Sequence, residues 1–164
     1  MRRHCGAMTT APFAITFNSP CETADFAARL GRILRPGDTL LLEGEIGSGK
    51  THFSRSLIQS VMSIPEDVPS PTFTLVQVYD TEIGEIWHCD LYRLGAVDEV
   101  DELGLTEAFE TAICLVEWPD KLGSMQPENA LTLSFETDPN TVEKRLITLS
   151  WVNTEWASRL EAAQ

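Results

Sequence analysis

An eight-residue segment of the chain has the composition and spacing of a phosphate-binding loop. Residues 44–51 read Gly-Glu-Ile-Gly-Ser-Gly-Lys-Thr, which is a glycine, four further residues, then Gly-Lys-Thr. Glycines accept positive φ angles, so the backbone N–H groups of such a loop form a concave nest for phosphate oxygens. At this spacing Lys50 can reach the β- and γ-phosphates of a nucleotide, and the Thr51 hydroxyl can bind Mg²⁺. The segment predicts a nucleoside triphosphate site, and the alternative is a glycine-rich turn that exposes a lysine.

A carboxylate further along the chain could complete this chemistry. Glu117 follows the apolar segment 113–116. An acidic residue at the end of a buried strand beside the phosphate loop is the Walker B pattern. Glu117 either orients the attacking water as a base or holds Mg²⁺ through a water molecule, and the sequence leaves both roles open. The alternative is a partly buried structural glutamate.

A second carboxylate, Asp90, lies in the segment 87–93, where a strand would place His88 and Asp90 on one face. Polar side chains on an interior strand are costly without partners, so we interpret Asp90 as holding the metal directly or through a neighbour. The alternative is a salt bridge to Arg93, and His88 by itself is interpreted as a structural histidine.

Thr72 lies between the helix after the loop and the next strand. Its hydroxyl could sense the γ-phosphate, as switch threonines do, or serve the turn itself.

The remaining residues favour ATP over GTP and hydrolysis over phosphoryl transfer. Guanine-specific proteins of this class carry Asn/Thr-Lys-x-Asp, and no such tetrapeptide occurs here. Small-molecule kinases bring several arginines to the transferring phosphates, since bidentate charge contacts dominate that chemistry. After Lys50 the chain has only scattered arginines, which are Arg55, Arg93, Arg145 and Arg159. An ATPase is therefore favoured, and the alternatives are a small-molecule kinase and an ATP-dependent interaction module without turnover.

Strand and helix patterns indicate which elements position these residues. Residues 39–42 and 113–116 are continuous apolar runs, typical of parallel strands buried on both faces. An apolar residue recurs every fourth position after the loop, which predicts one face of a helix: Phe53, Leu57 and Val61. Further strands are predicted as a hairpin over residues 73–79 and 85–92, and later over residues 131–135 and 146–151. The alternation predicts an α/β fold with a mostly parallel central sheet, with the hairpin and the late strands as antiparallel additions at one edge.

Length, charge and cysteine usage limit the class of protein. The chain has 164 residues, and we expect a flexible N-terminal tail over residues 1–12 and a single P-loop ATPase domain over residues 13–164. Its net charge of −13 argues against direct binding to nucleic acid or to an anionic membrane, because both need a positive surface. Four scattered cysteines without a Cys-x-x-Cys pair are typical of a reducing cytoplasm. The acidic segment 98–110 has six carboxylates and no base, and predicts a solvated helix face or a docking surface for a basic patch.

Four segments in order resemble the TsaE (YjeE) family, the small P-loop ATPase of bacterial tRNA threonylcarbamoyladenosine biosynthesis: residues 42–51, 70–76, 88–94 and 113–119. The resemblance implies a P-loop NTPase-like, three-layer α/β fold with ATP and Mg²⁺ as cofactors. It implies work in a complex with the TsaD and TsaB proteins, which transfers a threonylcarbamoyl group to the adenosine 3′ of the anticodon. In this family the ATPase does not perform that transfer, and its nucleotide cycle resets the complex. Contact with tRNA is expected only through partners, and no binding to DNA or to a membrane is expected.

By position, the resemblance implies catalytic roles for Lys50, Asp90 and Glu117. It implies metal binding by Thr51, Asp90 and Glu117. The residues implied in nucleotide binding are Thr23, Glu45, Ile46, Gly47, Ser48, Gly49, Lys50, Thr51, His52 and Thr72. Within that set, Thr23 is expected near the base or the ribose.

Overall fold

A seven-stranded mixed sheet forms the centre of the protein, whose computed structural model describes residues 11–163. Strands and helices alternate through most of the chain, as the hydrophobic pattern predicts. In chain order the elements are β1 Phe13–Phe17, α1 Pro20–Gly31, β2 Thr39–Glu43, α2 Lys50–Ser60, β3 Val76–Thr81, β4 Gly84–Asp90, α3 Asp98–Glu102, α4 Leu105–Thr111, β5 Ile113–Glu117, a 3₁₀ segment Pro119–Met125, β6 Leu131–Asp138, β7 Thr141–Trp151 and α5 Glu155–Glu161.

The strand order in the sheet is β1-β7-β6-β2-β5-β4-β3. The four central strands β6, β2, β5 and β4 run parallel, which confirms the predicted parallel centre. β3 pairs antiparallel with β4 at one edge, whereas β7 and β1 add antiparallel strands at the other edge. The prediction that all antiparallel additions lie at one edge is therefore wrong. β6 enters the sheet beside β2, on the side away from β5, and so carries the late strands to the edge opposite the hairpin.

The two faces of the sheet carry separate apolar layers. Helices α1, α2 and α5 cover one face, in which Leu40, Leu42 and Leu115 are buried. Helices α3 and α4 and the 3₁₀ segment cover the other face, in which Leu41 and Val116 are buried. The central residues of β2 and β5 alternate between the two layers, so the prediction of strands buried on both faces is confirmed. The three-layer α/β arrangement confirms the predicted fold class.

The parallel strands bring their carboxyl ends to one edge of the sheet, where ligands of open α/β folds bind. The register pairs Leu42 of β2 with Glu117 of β5, and Glu117 with Asp90 of β4. The loop that leaves β2 and enters α2 therefore starts beside two strand-end carboxylates.

Some predicted bounds shift in the structure. The strand predicted at residues 73–79 begins at Val76, because residues 72–74 form a turn, and the strand predicted from residue 146 already begins at Thr141. Of the predicted tail over residues 1–12, residues 1–10 lie outside the described residues, as does residue 164. A single domain over residues 13–164 stays a prediction. Within residues 11–163, no helix is long and apolar enough to cross a membrane.

Candidate nucleotide-binding site

The segment between β2 and α2 has the backbone conformation that a phosphate-binding loop requires. Gly44, Gly47 and Gly49 have φ angles of 143°, 78° and 105°, and α2 begins directly after Gly49. A Cβ at Gly44 would lie 2.7 Å from Ser48 Oγ and 2.8 Å from Phe135 O, so the fold admits only glycine there. The N-terminus of the 11-residue helix α2 therefore opens onto this loop. Such an arrangement binds phosphates through free N–H groups and the helix dipole.

A cavity of about 560 Å³ lies above this loop, at the carboxyl ends of the parallel strands. The site residues predicted from the sequence all line it: Thr23, Glu45, Ile46, Gly47, Ser48, Gly49, Lys50, Thr51, His52, Thr72, Asp90 and Glu117. Further lining residues were not predicted for the site, and these are Pro20, Tyr92, Arg93, Trp118, Phe135, Glu143 and Arg145. The volume is in the range of pockets that enclose small-molecule ligands.

Glu117 is held between the phosphate-loop helix and a buried histidine. Its Oε1 accepts a hydrogen bond from Thr51 Oγ1 at 2.8 Å, and its Oε2 lies 2.7 Å from His88 Nε2. Both Glu117 and His88 are buried, so these partners offset the cost of removing a carboxylate from water and fix its direction. His88 Nδ1 has no hydrogen-bond partner among the residues that the structure describes. The interpretation of His88 as structural missed its contact with Glu117.

Asp90 is tied to the loop that precedes β3. Its Oδ2 accepts from Thr72 Oγ1 at 3.2 Å, and its Oδ1 accepts from the backbone N–H of Tyr92 at 3.0 Å. The Arg93 guanidinium instead lies over the Phe73 ring, 4.4 Å from the ring centre. The alternative of a salt bridge between Asp90 and Arg93 is therefore wrong. The hydroxyl of Thr72 and the carboxylate of Asp90 face the cavity as a connected pair.

Lys50 lies inside the loop that carries it. Its Nζ donates to the carbonyl oxygens of Gly44 and Glu45 and lies 4.0 Å from the centre of the Trp118 ring. Burial lowers the pKa of Lys50 below its ordinary value, and nearby carboxylates, of which Glu117 has the largest effect, act in the opposite direction. A phosphate oxygen is a stronger acceptor for an ammonium group than a carbonyl oxygen. The group is thus placed to exchange loop carbonyls for phosphate.

The start of α1 forms the side wall of the cavity. Thr23 is buried, and its Oγ1 donates to Ser19 O at 3.3 Å. His52 Nε2, on α2, lies 3.1 Å from Pro20 O and so connects the two helices. Both Thr23 and His52 line the cavity next to the phosphate loop. A role of Thr23 at the base or the ribose stays a prediction.

The two strand-end carboxylates and the Thr51 hydroxyl at the start of α2 fit a magnesium ion that shares its coordination with phosphate. Thr51, Asp90 and Glu117 offer oxygen donors, and oxygen is the ligand that Mg²⁺ prefers. Within residues 11–163 there is no cluster of three or more His, Cys, Asp or Glu side chains that could hold a metal ion. One or two carboxylates are the usual protein ligands of Mg²⁺ when phosphates and waters supply the others, and phosphate-loop proteins add the hydroxyl of the loop.

Two residues that the sequence did not predict for the site contact the phosphate loop. Trp118 has a left-handed backbone, with φ of 59°, which turns its ring onto Lys50 and within 4.9 Å of the Tyr92 ring. The sequence signal that could have identified Trp118 is its position directly after the strand-end carboxylate of Glu117. Arg145 of β7 contacts the loop carbonyls of Gly47 and Ser48. No local pattern marks Arg145, because its partners are distant in the chain.

Comparison with known proteins decides the family. The family model described as Threonylcarbamoyl adenosine biosynthesis protein TsaE matches residues 17–147. The chain belongs to the TsaE family. The resemblance predicted from four sequence segments is confirmed, and the match includes the phosphate loop, both strand-end carboxylates and Arg145.

Relatives and a solved structure agree with the TsaE assignment. The tRNA threonylcarbamoyladenosine biosynthesis protein TsaE of Rickettsia bellii is 41% identical over 119 residues, which cover 73% of this chain and 83% of the relative. The protein of the same name from Bacillus subtilis is 36% identical over 116 residues, or 70% of this chain and 72% of the relative. The crystal structure of Bacillus subtilis YdiB covers 96% of this chain and 97% of its own, with a TM-score of 0.75 and 26% identity.

Proposed function

We propose that the chain binds ATP with Mg²⁺ in this cavity and hydrolyses it slowly, in concert with partner proteins. One observation carries the proposal. The phosphate loop, the Thr51–Glu117 hydrogen bond at 2.8 Å and the carboxylate of Asp90 all line one cavity. A nest of N–H groups beside oxygen donors for a metal is the combination that a metal-bound triphosphate requires.

The chain acts in tRNA threonylcarbamoyladenosine biosynthesis, as membership in the TsaE family implies. We assign it the nucleotide-driven step of that process, with TsaD and TsaB as partners that perform the transfer. The net charge of −13 supports this division, because an acidic protein repels the phosphates of tRNA and DNA. Contact with tRNA is therefore proposed only through the partners, and the cytoplasm is the proposed location.

In the proposed mechanism, the N–H groups of the loop and Lys50 hold the β- and γ-phosphates of ATP. Bound Mg²⁺ would neutralise phosphate charge, with Thr51, Asp90 and Glu117 as its protein ligands, directly or through water. The Glu117 carboxylate is already fixed by Thr51 and His88, so it needs no rearrangement to orient the attacking water. It accepts the proton of that water or holds the metal through one. Thr72, beside Asp90, is placed to respond to the γ-phosphate.

A partner is proposed to complete the site because the two arginines that line the cavity, among the residues that the structure describes, are already engaged. Of the arginines that the structure describes, Arg93 and Arg145 line the cavity. Arg93 stacks on Phe73, and Arg145 donates to backbone carbonyls. An arginine supplied in trans commonly stabilises the charge of the transition state. In the acidic segment 98–110, on α3 and α4, all six carboxylates except Glu99 are exposed, and the segment remains our candidate for docking a basic patch of the partner.

Repeated tRNA modification by a TsaD–TsaB pair supplied with excess threonylcarbamoyl donor tests this function. With this chain and ATP, each complex is expected to modify several tRNA molecules, and with a non-hydrolysable ATP analogue no more than one. Lys50→Ala should behave like the analogue. Lys144→Ala serves as the matched control, because Lys144 is half-buried and pairs with Asp138.

Two other outcomes separate the alternatives. Repeated modification with the analogue would overturn hydrolysis and favour an interaction module that uses ATP only to select a conformation. ATP-dependent phosphorylation of a small molecule, with no effect on tRNA modification, would favour the kinase alternative.

A further inference from the structure

Arg145 joins the C-terminal hairpin to the phosphate loop. Its Nε donates to Ser48 O at 2.9 Å, and its Nη2 lies 3.5 Å from Gly47 O. Its Nη1 donates to two carbonyl oxygens of its own hairpin, those of Val142 at 2.6 Å and Lys144 at 2.9 Å. One guanidinium group thus bridges two loop carbonyls and two strand carbonyls.

These contacts determine where the amide groups of the loop point. A planar trans peptide unit directs its C=O and N–H in opposite directions. The carbonyl of Ser48 belongs to the same peptide unit as the N–H of Gly49. The N–H of Ser48, which shares a peptide unit with the Gly47 carbonyl, already donates to Glu45 O at 3.1 Å. A guanidinium group that holds the Ser48 carbonyl on one side therefore turns the N–H of Gly49 to the opposite side. A nest binds an anion with N–H groups directed in this way.

The phosphate loop needs a restraint on its backbone, and strand β7 can supply it through Arg145. Gly47 and Gly49 have no Cβ, so they have more conformational freedom to lose than other residues. A Cβ at Gly49 would lie 3.5 Å from Arg145 Nε, which shows that the guanidinium packs directly on the loop. The backbone of Arg145 pairs with Phe17 on one side and Thr137 on the other, so the donor projects from a strand held on both sides.

We propose that Arg145 is a positioning residue that orients the N–H group of Gly49 for phosphate before the nucleotide binds. The inference rests on the proposed function, because the anion in question is the β-phosphate of ATP or ADP. Since both nucleotides carry this phosphate, loss of the restraint weakens both equally. An arginine that instead contacted the γ-phosphate would affect turnover and leave ADP affinity unchanged.

The test compares Arg145→Met and Arg145→Lys with Lys144→Met, a matched control that removes a neighbouring charge without touching the loop. Arg145→Met is expected to weaken ADP and ATP binding by about 10-fold or more, with a smaller effect on kcat, because a preorganised site loses affinity when its order is lost. Arg145→Lys keeps the charge but cannot bridge both elements, so it is expected to bind ADP about threefold more weakly. Lys144→Met should bind ADP within about twofold of the unmodified chain, since surface charges are screened by salt.

A second measurement is independent of nucleotide binding. The chain has ten glycines, so ¹⁵N-glycine labelling gives a short list of amide resonances that includes Gly47 and Gly49. In the nucleotide-free protein, Arg145→Met should shift or broaden the resonances of these two glycines, and Lys144→Met should leave them in place. Melting curves identify a variant that fails to fold, in which case Arg145→Lys carries the test.

The outcomes separate this inference from the proposed function. Unchanged glycine resonances and unchanged ADP affinity in Arg145→Met would overturn the inference. A fall in kcat with unchanged ADP affinity would also overturn it and assign Arg145 to the γ-phosphate. If the unmodified chain binds no nucleotide, the proposed function fails, while the glycine resonances still report whether Arg145 orders the loop.

Discussion

Replacement of Glu117 by glutamine separates the chemical step from nucleotide binding. The substitution keeps the shape of the side chain, and an amide can still face both Thr51 and His88. It removes the negative charge and therefore the ability to accept a proton from water. The backbone N–H groups of the phosphate loop do not contact this carboxylate. Affinity for ADP in the absence of Mg²⁺ should therefore change by less than about threefold.

The expected magnitude follows from these contacts. A positioned general base contributes about 10²- to 10⁴-fold in rate, which is about 3–5 kcal/mol of activation free energy. The hydrogen bonds of Glu117 with Thr51 and His88 involve a charged group, and in the glutamine variant they become neutral. This change lowers the free energy of unfolding by about 1 kcal/mol for each bond. Relief from burying a charge offsets part of that cost. Turnover should thus fall by at least about 100-fold while the free energy of unfolding falls by about 2 kcal/mol or less.

The assay measures steady-state ATP turnover, calorimetric binding of ADP with and without Mg²⁺, and thermal unfolding. Glu143→Gln is the matched control, because this exposed glutamate lines the same cavity. Turnover of Glu117→Gln within about threefold of the unmodified chain would contradict a role of Glu117 as the general base. A loss of affinity confined to the Mg²⁺-containing experiment would assign Glu117 to the metal instead of to the water.

Two further predictions concern the loop and the core. Gly44→Ala should abolish nucleotide binding and lower the melting temperature, since its Cβ would lie 2.7 Å from Ser48 Oγ. Gly47→Ala has no atom within 4 Å of its Cβ and should cost only about 1–2 kcal/mol of left-handed strain, so equal effects in the two variants would contradict the account. Burial raises the pKa of Cys114 from 9.0 to about 12, so the folded state keeps its proton while the unfolded state loses it. Between about pH 9 and pH 12 the free energy of unfolding should therefore fall more steeply in the unmodified chain than in Cys114→Ala. The difference in slope should be about 1.4 kcal/mol per pH unit, and parallel curves from denaturant titrations would contradict it.

Local patterns predict the phosphate loop and the buried strands because each is determined within a few residues. The glycine spacing of residues 44–51 requires positive φ angles, and the structure has them. The apolar runs at residues 39–42 and 113–116 become the central strands β2 and β5. Because Glu117 directly follows the apolar run 113–116, its location at the end of a strand could be predicted from its position in the sequence.

Features that depend on distant pairing could not be predicted in this way. The antiparallel strands lie at both edges because β6 pairs with β2, and no local pattern states which strand is its neighbour. The contact of His88 with Glu117 needs the register between β4 and β5, which is a property of the folded sheet. Arg145 contacts Ser48 across 97 residues of sequence, so only the structure brings it to the loop.

ATP hydrolysis in the presence of Mg²⁺, measured with and without a purified TsaD–TsaB pair, is the decisive test of the proposed ATPase function. Turnover is expected to rise when the pair is added. It should fall to background in Lys50→Ala, because this variant lacks the ammonium group that lies in the phosphate loop. Near-normal turnover in Lys50→Ala would contradict the assignment of the site. Absence of both turnover and association with the pair would contradict the proposed function itself.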